Sequence, residues 1–574
     1  MGNLFATLDI AVSGLQASQI AIGVTGHNIA NVNTDGYSRQ RADLVTRWPQ
    51  TTPYGSLGRG VAVTDIFQLR DRLLDAVFQN ETENVGELTV ERDFLQRIED
   101  IFQEPGETGI GGLLDNFFAS VQALANYPEE LPLRASMIAA ASVLAEGFND
   151  VARRLEQIRT DANAEITILV EEVNTLTEQI AELNYNIVRV EASGRMANDF
   201  RDRRTVLLDR LAELVDIQTV DMANGSVTVL VGGEVLVDGK YWTGLATQVN
   251  PALDPERSDL VEVAVADSGR VVSMTGGRFK GLFDVRDTIA PALATRINEL
   301  AATLIFEFNR IHSQGTGLAG FTSLQSDNAV LDPNADLDDT AATGLAFTPV
   351  NGTFEINVID TLGNVVTSVI TVDLDGVGAD DSLSDLAANI DAIANISASV
   401  SGDNRLVITA DPTYSFVFSN DTSNVLAAVG SNVFFSGSDA RDIAVNPAIV
   451  DDERLIAASL STDPRDTGDN RNALAMAALQ ETAVLNFGTS TLNDYYEEII
   501  ATLGVTARRA SEEVDIVESF RLNIDQRREE VAGVSIDEEV ASLMQFQRAF
   551  QASAQVFTVI DVLLDTVVNR LISS

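Results

Sequence analysis

The sequence predicts a multidomain α+β protein. Long coiled-coil-like terminal helices and a helical-bundle body are formed by both chain ends, and β-rich outer domains are inserted in the middle. Three observations predict this fold class. Apolar residues recur every seven residues near both termini, strand patterns with turn residues fill the middle, and 574 residues exceed what one hydrophobic core usually serves.

The N-terminal stretch carries a heptad pattern typical of a helix that packs along another helix. A row of large apolar residues consists of Leu8, Leu15, Ile22 and Ile29. The alternate row consists of Leu4, Ala11, Ser18 and Thr25. Because small side chains bury little apolar area, we expect the alternate row to pack weakly within one chain. The predicted N-terminal assembly seam is Leu4, Leu8, Leu15, Ile22 and Ile29.

The C-terminal stretch carries an unbroken row with the same spacing. Its members are Ile536, Leu543, Phe550, Phe557, Leu564 and Leu571. Ser535 and Glu538 form a capping-box pattern just after Gly533, which predicts that the last helix begins here. Chain ends usually fray, so these apolar rows indicate terminal helices that become ordered by packing.

Three internal segments are also predicted to be mainly helical. At 166–190 apolar residues alternate in steps of three and four, and the other two segments are 284–312 and 470–528. The simplest interpretation of each stripe is a helix that faces the core of a bundle.

The middle of the chain carries strand signals. Residues 226–231 and 234–238 flank Gly232-Gly233, a pattern that predicts a hairpin with a two-residue turn. A second β block covers about 354–435 and contains a short helix capped at Ser382. Its flanks are rich in Asp, Ala and Thr, as expected of exposed loops. This block is therefore predicted to be a domain inserted into the helical body.

These patterns divide the chain into four predicted domains. They are a terminal helical domain (1–50 with 530–574), a helical body (51–214 with 284–320 and 455–529), a β-rich domain (215–283) and an inserted β-rich outer domain (321–454).

The charge of the chain excludes classes of partner. With 85 acidic and 38 basic residues the formal net charge is −47, and such a surface repels phosphate backbones and anionic lipid headgroups. We therefore expect neither nucleic-acid binding nor membrane insertion. The absence of cysteine excludes disulfides and thiolate chemistry, so stability must come from packing or from assembly.

The N-terminus lacks the pattern of a cleaved secretion signal. No Lys or Arg precedes Arg39, and Asp9 interrupts the first apolar residues. The apolar stretch at 556–568 contains Asp561 and Asp565 and is shorter than the ~20 residues of a membrane helix, so no transmembrane segment is expected. If the protein leaves the cell, we expect a route that reads no cleaved leader.

Candidates for catalysis or metal binding are few. The two histidines, His27 and His312, lie in separate predicted helices, where packing or surface roles are the simplest interpretation. Asp373, Asp375 and Gly376 partly match a calcium loop, but the first Asp and the closing Glu are missing, which favours a solvated turn. We therefore expect no enzyme, no cofactor and no metal site.

One segment near the N-terminus carries the most specific signal. It contains Ser13-Gly14-Leu15-Gln16-Ala17 and then Asn28-Ile29-Ala30-Asn31-Val32-Asn33-Thr34-Asp35-Gly36-Tyr37-Ser38-Arg39-Gln40. This pattern resembles the signature shared by flagellar rod, hook and hook-associated proteins, and its last four residues are most similar to the hook-associated members. The residues that carry the motif are Asn28, Asn31, Asn33, Thr34, Gly36, Tyr37, Arg39 and Gln40. Segments 468–474, 533–539 and 545–554 are similar to the same family.

The resemblance implies a structural subunit of the bacterial flagellum that joins hook to filament and is secreted to the cell exterior. It implies terminal helices that pair to form an inner tube, and export through the flagellar type III apparatus. The implied partners are further copies of the chain, the hook protein, a second hook-filament junction protein, and an export chaperone. The chaperone would bind the C-terminal helix along the same row as the assembly seam.

Two alternatives stay open. The first is another axial protein, either hook or rod, which the chain length and the ending Tyr37 to Gln40 disfavour. The second, from a different class, is a secreted adhesin or hydrolase on a coiled-coil base. For the junction subunit we expect terminal helices that pack incompletely in one chain until neighbouring copies cover them.

Overall fold

The computed structural model describes residues 2–52, 55–102, 106, 109–463 and 465–566. Contacts divide the chain into two compact units, each assembled from separate segments. Unit 1 consists of Met1–Asp93, Asp161–Val285 and Arg509–Ser574, and unit 2 consists of Phe94–Thr160 and Arg286–Arg508. The boundaries of the four domains stay a prediction.

Helices form most of the regular structure. In chain order they are α1 (Gly2–Ala30), α2 (Arg72–Phe102), α3 (Ile110–Asn126), α4 (Leu131–Glu191), α5 (Asn198–Leu214), α6 (Gly277–Asp284), α7 (Ala290–His312), α8 (Thr340–Thr343), α9 (Leu383–Asp391), α10 (Val425–Val429), α11 (Pro447–Asp451), α12 (Arg471–Ala478), α13 (Leu492–Ala532) and α14 (Ile536–Asp565). A π-helical segment, Val285–Ile289, lies between α6 and α7.

Strands lie in three regions of the chain. In chain order they are β1 (Gln40–Thr46), β2 (Gln50–Thr52), β3 (Gly55–Leu57), β4 (Val61–Gln68), β5 (Ile217–Asp221), β6 (Val227–Val231), β7 (Glu234–Asp238), β8 (Tyr241–Trp242), β9 (Leu245–Val249), β10 (Val261–Val265), β11 (Ser323–Gln325), β12 (Gly352–Ile359), β13 (Val365–Val372), β14 (Ile396–Val400), β15 (Leu406–Ala410), β16 (Ser415–Ser419), β17 (Phe435–Ser436) and β18 (Ala444–Val445). Long terminal helices and a β-containing middle confirm the predicted fold class.

The predicted internal helices are confirmed, but their lengths differ. Helix α4 has 61 residues and begins at Leu131, well before the apolar steps at 166–190. Its first half buries small residues such as Ala141, Ala145 and Ala152, which carry little periodic signal. The segment at 470–528 contains two helices, because α12 ends at Ala478 and α13 begins at Leu492.

Strands β1 to β4 correct the helical prediction for the region after α1. Strand β1 pairs with β4 in antiparallel register, with Gln40 opposite Gln68 and Thr46 opposite Val61. Strands β2 and β3 form a smaller antiparallel pair. Most side chains of these strands are exposed or half-buried, so the alternation that reveals a strand in a sequence is missing.

The middle of unit 1 is a four-stranded antiparallel sheet in the order β5-β6-β7-β8, with the separate pair β9-β10. The predicted hairpin is confirmed, because β6 and β7 pair directly around Gly232 and Gly233. Both glycines have positive φ, +54° and +82°, which is the backbone conformation that a tight two-residue turn requires.

Unit 2 contains the inserted β block. Two antiparallel sheets, β13-β12-β16 and β11-β15-β14, share one core with α9. That core includes Phe354, Ile356, Leu386, Ile390, Phe416 and Phe418. Ser382 caps α9 through a reciprocal capping box with Asp385, as the sequence predicts. Where the chain leaves this block, the rings of Phe434 and Phe435 pack on Phe308 with centroids 5.2 and 5.5 Å away.

Three helical stretches are long and apolar enough to cross a membrane when judged by length and composition alone. They are Leu4–Ala30, Leu131–Glu191 and Gly277–His312. The sequence analysis weighed only the C-terminal segment, and the expectation of no membrane insertion stays a prediction. In the first stretch, small residues such as Ala11, Ala17 and Ala21 raise the hydropathy without large side chains.

Candidate functional site

The two ends of the chain meet as an antiparallel helix pair within unit 1. Gly14 lies beside Ser553, and Asn28 Nδ2 donates to Glu539 Oε2 at 3.0 Å. Fourteen residues forward along α1, from 14 to 28, correspond to fourteen residues backward along α14, from 553 to 539. The helices therefore run antiparallel in constant register, and the expected pairing of the termini is confirmed.

Small residues of α1 form its buried face. Ala11, Ala17 and Ala21 are 3%, 5% and 1% exposed, and Ser18 and Thr25 are buried as well. A Cβ added at Gly14 would lie 2.7 Å from Ser553 Oγ, so the two helices approach closely at this point. The row that we expected to pack weakly is thus buried at Ala11, Ser18 and Thr25, because small side chains permit close approach of the backbones.

The predicted N-terminal assembly seam on α1 is only half-buried. Its members Leu4, Leu8, Leu15, Ile22 and Ile29 all have intermediate exposure. Phe5, Ile10 and Ile20 are exposed on the same helix. The helix therefore keeps large apolar side chains in contact with solvent after it has paired with α14. An assembly role for this row stays a prediction.

The C-terminal row is even less covered. Ile536, Phe550 and Phe557 are 51%, 37% and 37% exposed, while Leu543 and Leu564 are half-buried. Leu571 lies outside the described residues. Among the described apolar residues of α14 Ile560 alone is buried, whereas Val540, Met544, Val556, Val559, Val562 and Leu563 are exposed. The pair of terminal helices therefore carries a large apolar surface without a partner inside its own unit.

Asn28 is the centre of the motif. Its side chain is 1% exposed, and its Nδ2 donates to the Gln40 carbonyl at 2.9 Å and to Glu539. Its Oδ1 accepts from the Gln40 N–H at 3.0 Å and from the Tyr37 hydroxyl at 2.8 Å. One amide side chain thereby joins the end of α1 to the start of β1 and to the start of α14.

Gly36 and Tyr37 shape the turn between α1 and β1. Gly36 has φ +69°, and an added Cβ would lie 2.2 Å from Val206 Cγ2, so this position requires glycine. The Tyr37 ring meets the His27 ring edge to face at 5.5 Å. Burial raises the pKa of Tyr37, and nearby Asp199, Asp202 and Glu539 raise it further, so the hydroxyl stays protonated as a donor.

Arg39 connects the motif to the start of α14. Its Nε donates to Glu539 Oε1 and its guanidinium to Glu538 Oε2, both at 2.7 Å. Its backbone N–H donates to the Ala532 carbonyl at the end of α13. Glu539 is buried, and Asn28 and Arg39 together satisfy its carboxylate. Ser535 caps α14 by accepting from the Glu538 N–H, as predicted.

Helix α5 supplies two carboxylates to the same motif. Asp202 accepts from the Ser38 hydroxyl at 2.6 Å and from the Ser38 N–H at 3.1 Å. Asp199 accepts from Gln40 Nε2 at 2.8 Å. Burial raises the pKa of Asp202, although the hydrogen bonds from Ser38 and the charge of Arg70 oppose that shift. The sequence analysis missed both aspartates and Glu539, because these partners lie 159 to 511 residues away along the chain.

The remaining motif residues close a local turn. Asn31 Nδ2 donates to the His27 carbonyl, and Asn31 Oδ1 accepts from the Thr34 hydroxyl at 3.2 Å. Asn33 and Thr34 are exposed. The motif is therefore chiefly a structural anchor that holds α1, β1, α5 and α14 together, with one exposed edge.

Two groups of carboxylates elsewhere in the described residues lie close enough together to hold a cation, but other contacts explain both groups. Asp373, Asp375 and Asp380 lie close enough to hold a cation, yet Asp375 and Asp380 accept backbone N–H groups of their own loop. This arrangement fits the predicted turn. Glu87, Glu91 and Asp284 also converge, but Lys280 pairs with Asp284 and lies 3.9 Å from Glu87.

His312 is a packing residue, as expected. It is 0% exposed, with Nδ1 2.8 Å from the Asn432 carbonyl and Nε2 accepting from the Ala457 N–H at 2.9 Å. Burial lowers its pKa to about 4. His27 is exposed at the end of α1 and contacts Tyr37.

Three family profiles match the chain. "Flagellar hook-associated protein FlgK helical domain" matches residues 95–325. "Flagella basal body rod protein" matches residues 8–37, and "Flagellar basal body rod FlgEFG protein C-terminal" matches residues 525–571. The range 8–37 covers most of α1 and the first part of the motif, and the range 525–571 covers α14.

Curated relatives match over nearly the full length. Flagellar hook-associated protein 1 of Bacillus subtilis (strain 168) is 26% identical, over 99% of this chain and 99% of the relative. The protein of that name from Salmonella typhimurium is 25% identical, over 97% of this chain and 98% of the relative.

A solved structure has a similar fold. The flagellar hook junction protein FlgK from Burkholderia pseudomallei aligns with a TM-score of 0.50 and 17% identity, covering 80% of this chain and 100% of that chain.

Paired terminal helices joined by this motif define an axial structural protein of the bacterial flagellum, a component of the cell exterior. Within that class, the chain is similar over nearly its full length to flagellar hook-associated protein 1 of other bacteria.

Proposed function

We propose that this chain is the structural subunit that joins hook to filament, and that it assembles through its terminal helices. The observation that carries the proposal is the uncovered apolar surface of α14, where Phe550 and Phe557 are each 37% exposed although α1 is already in place. Burying a large apolar side chain contributes about 1.5–3 kcal/mol, so neighbouring copies gain stability by covering this row.

The proposal assigns different roles to the two faces of α1. The small-residue face packs α14 within one chain, while the large apolar row from Leu4 to Ile29 contacts adjacent copies. The half-buried state of that row supports this division. The motif from Asn28 to Gln40 then keeps the angle between the helix pair and the rest of unit 1 constant from copy to copy.

Further partners belong to the same proposal. The subunit contacts hook protein on one side and a second junction protein on the other, and it acts without catalysis, cofactor or metal. It leaves the cell through the flagellar type III apparatus, with an export chaperone on the C-terminal row before assembly. The exposure of Ile536, Val556 and Val559 supports the chaperone, because such a surface promotes aggregation before export.

Phe557→Asp tests the assembly role. The side chain is partly in solvent, so the charge is tolerated in the free chain, but an unpaired charge buried between copies costs several kcal/mol. We expect normal unfolding of the isolated protein, with loss of incorporation into flagella and loss of swimming.

Gln547→Asp is the matched control, since Gln547 is an exposed polar residue of the same helix. That variant should assemble and swim. Normal motility of Phe557→Asp would contradict the assembly role of the row. Electron microscopy of a deletion strain separates the junction from other axial roles, because hooks without filaments support the junction and absent hooks support a hook or rod subunit.

A further inference from the structure

A cavity in unit 1 combines four arginines in a chain of net charge −47. Its volume is about 320 Å³, and its lining includes Arg70, Arg72, Arg201 and Arg204, with Gln68 and Met196. Arg72 is 73% exposed and Met196 is 37% exposed, so the cavity reaches the surface. The arginines come from the start of α2 and from α5, two segments that the fold brings together.

Three of these arginines have a carboxylate partner. Arg70 Nε donates to Asp75 at 2.8 Å, and Arg201 makes a two-pronged contact with Glu191 at 2.7 and 2.8 Å. Arg72 pairs with Asp221 at 2.8 Å. Their charges are therefore compensated within the chain.

Arg204 is the exception. It is 6% exposed, and its guanidinium donates only to neutral oxygens, the Asn184 side chain at 2.7 Å and the Gly225 carbonyl at 2.9 Å. Its Nε is buried and has no hydrogen-bond partner. Burial and then the charge of Arg201 lower the pKa of Arg204 to about 10, although the charges of Asp221 and Glu191 oppose that shift. A buried charge is normally hydrogen-bonded to an opposite charge, whereas the carboxylates nearest to Arg204 accept no hydrogen bond from it.

A second residue of the cavity lining, Gln68, also has an unsatisfied buried polar atom. Gln68 Oε1 also has no hydrogen-bond partner, and a half-turn of this amide would present its NH₂ group as a donor instead. Arg204 and Gln68 thus place two side chains with unsatisfied polar atoms in the lining of one cavity. The net negative charge of the chain does not oppose entry, because charges beyond a Debye length of about 8 Å are screened at physiological salt.

We propose that this cavity binds an oxyanion, which accepts hydrogen bonds from Arg204 and is held at the rim by Arg72. The planar guanidinium suits both a carboxylate and a sulfate or phosphate group. The bound oxyanion is either the carboxylate of an acidic side chain from an adjacent copy or a free inorganic anion. The site does not depend on the proposed junction role, since it lies within one unit of the isolated chain.

Thermal unfolding of the full chain tests the site at constant ionic strength, with sodium chloride replaced in part by low millimolar sulfate or acetate. Trp48 and Trp242 both lie in unit 1, so tryptophan fluorescence reports on the unit that holds the cavity. Anion binding to the folded state should raise the melting temperature by several degrees. In Arg204→Met the same anions should produce no shift.

The two anions separate the two sources. A shift with acetate indicates a site for a side-chain carboxylate, and a shift with sulfate alone indicates a free tetrahedral anion; either result supports the proposal. Equal responses of wild type and Arg204→Met overturn it.

If Arg204→Met does not fold, Arg72→Gln is compared with Arg270→Gln, an arginine of similar exposure that pairs with Glu234 outside the cavity. A several-fold loss of anion affinity in Arg72→Gln only is expected, and equal affinities overturn the proposal.

Discussion

At the scale of single residues, Asn28 illustrates how a local motif acts through distant partners. Its amide makes hydrogen bonds to Gln40 on both the N–H and the carbonyl side, and it donates to Glu539. Asparagine suits this position because one short side chain offers two donors and an acceptor with two lone pairs. The spacing between Asn28 and Gln40 in the motif thus reflects a hydrogen-bond geometry rather than a catalytic need.

Asn28→Ala should destabilise unit 1 by about 2–4 kcal/mol, because it leaves buried groups of Gln40 and one donor contact of Glu539 unsatisfied at about 1–3 kcal/mol each. Urea unfolding followed by tryptophan fluorescence measures the loss. Asn33→Ala is the control, since Asn33 is exposed in the same motif and its replacement should change stability by less than about 0.5 kcal/mol. Equal effects of both substitutions would refute the anchoring role.

At the scale of elements, α1 uses glycine differently at different positions. An added Cβ at Gly14 would meet Ser553 Oγ at 2.7 Å, whereas at Gly23 nothing lies within 4 Å. Gly14 therefore serves the close approach to α14, and Gly23 has no such packing constraint. A helix interior otherwise favours alanine, because glycine loses more backbone entropy.

Gly23→Ala should raise the stability of unit 1 by about 0.5–1 kcal/mol, the usual helix preference of alanine over glycine. Gly14→Ala should lose this gain, because Ser553 must move away. The double variant Gly14→Ala with Ser553→Ala should recover it, and urea unfolding of the wild type, both single variants and the double variant completes the cycle. A gain in Gly14→Ala equal to that in Gly23→Ala would mean that the helices are not in close contact there.

At the scale of the whole molecule, the two units differ in how they bury titratable groups. Unit 1 holds Glu83 and Glu91 with pKa values raised to about 7, chiefly by burial and then by nearby acidic groups. Unit 2 holds His312 with its pKa lowered to about 4 by burial. Acid therefore acts in opposite directions on the two glutamates and on His312.

Between pH 7 and 4.5 the folded form of unit 1 binds protons at Glu83 and Glu91 before the unfolded form does, so acidification stabilises that unit. Between pH 6.5 and 4 the unfolded form of unit 2 protonates His312 while the folded form does not. The free energy of unfolding of unit 2 therefore falls by about 3 kcal/mol when the pH has reached 4. Hydrogen exchange of peptides from each unit, measured over this range, should show the two opposite trends.

In wild type, unfolding of unit 2 takes up one proton at His312 between pH 6.5 and 4. His312→Gln should abolish this uptake, which makes the stability of unit 2 less dependent on pH, and it should leave unit 1 unchanged. His27→Gln is the control, since that histidine is exposed. An unchanged pH dependence of unit 2 in His312→Gln would contradict the assignment.

Several elements could be predicted from the sequence because their causes are local. The heptad rows, the Gly232-Gly233 turn and the cap at Ser382 each depend on residues a few positions apart. The motif from Asn28 to Gln40 likewise indicated the family. Strands β1 to β4 could not be predicted, because their half-exposed side chains lack a periodic pattern.

The sequence by itself determined that both chain ends are apolar helices, that β blocks lie between them, and which family the chain resembles. Only the tertiary structure decided which face of α1 is buried, that Glu539 and Asp202 complete the motif, and that Arg204 donates to neutral oxygens beside three arginines paired with carboxylates. The physical reason is distance along the chain. Periodicity and capping act within a few residues, whereas burial and charge pairing depend on segments that meet only after folding.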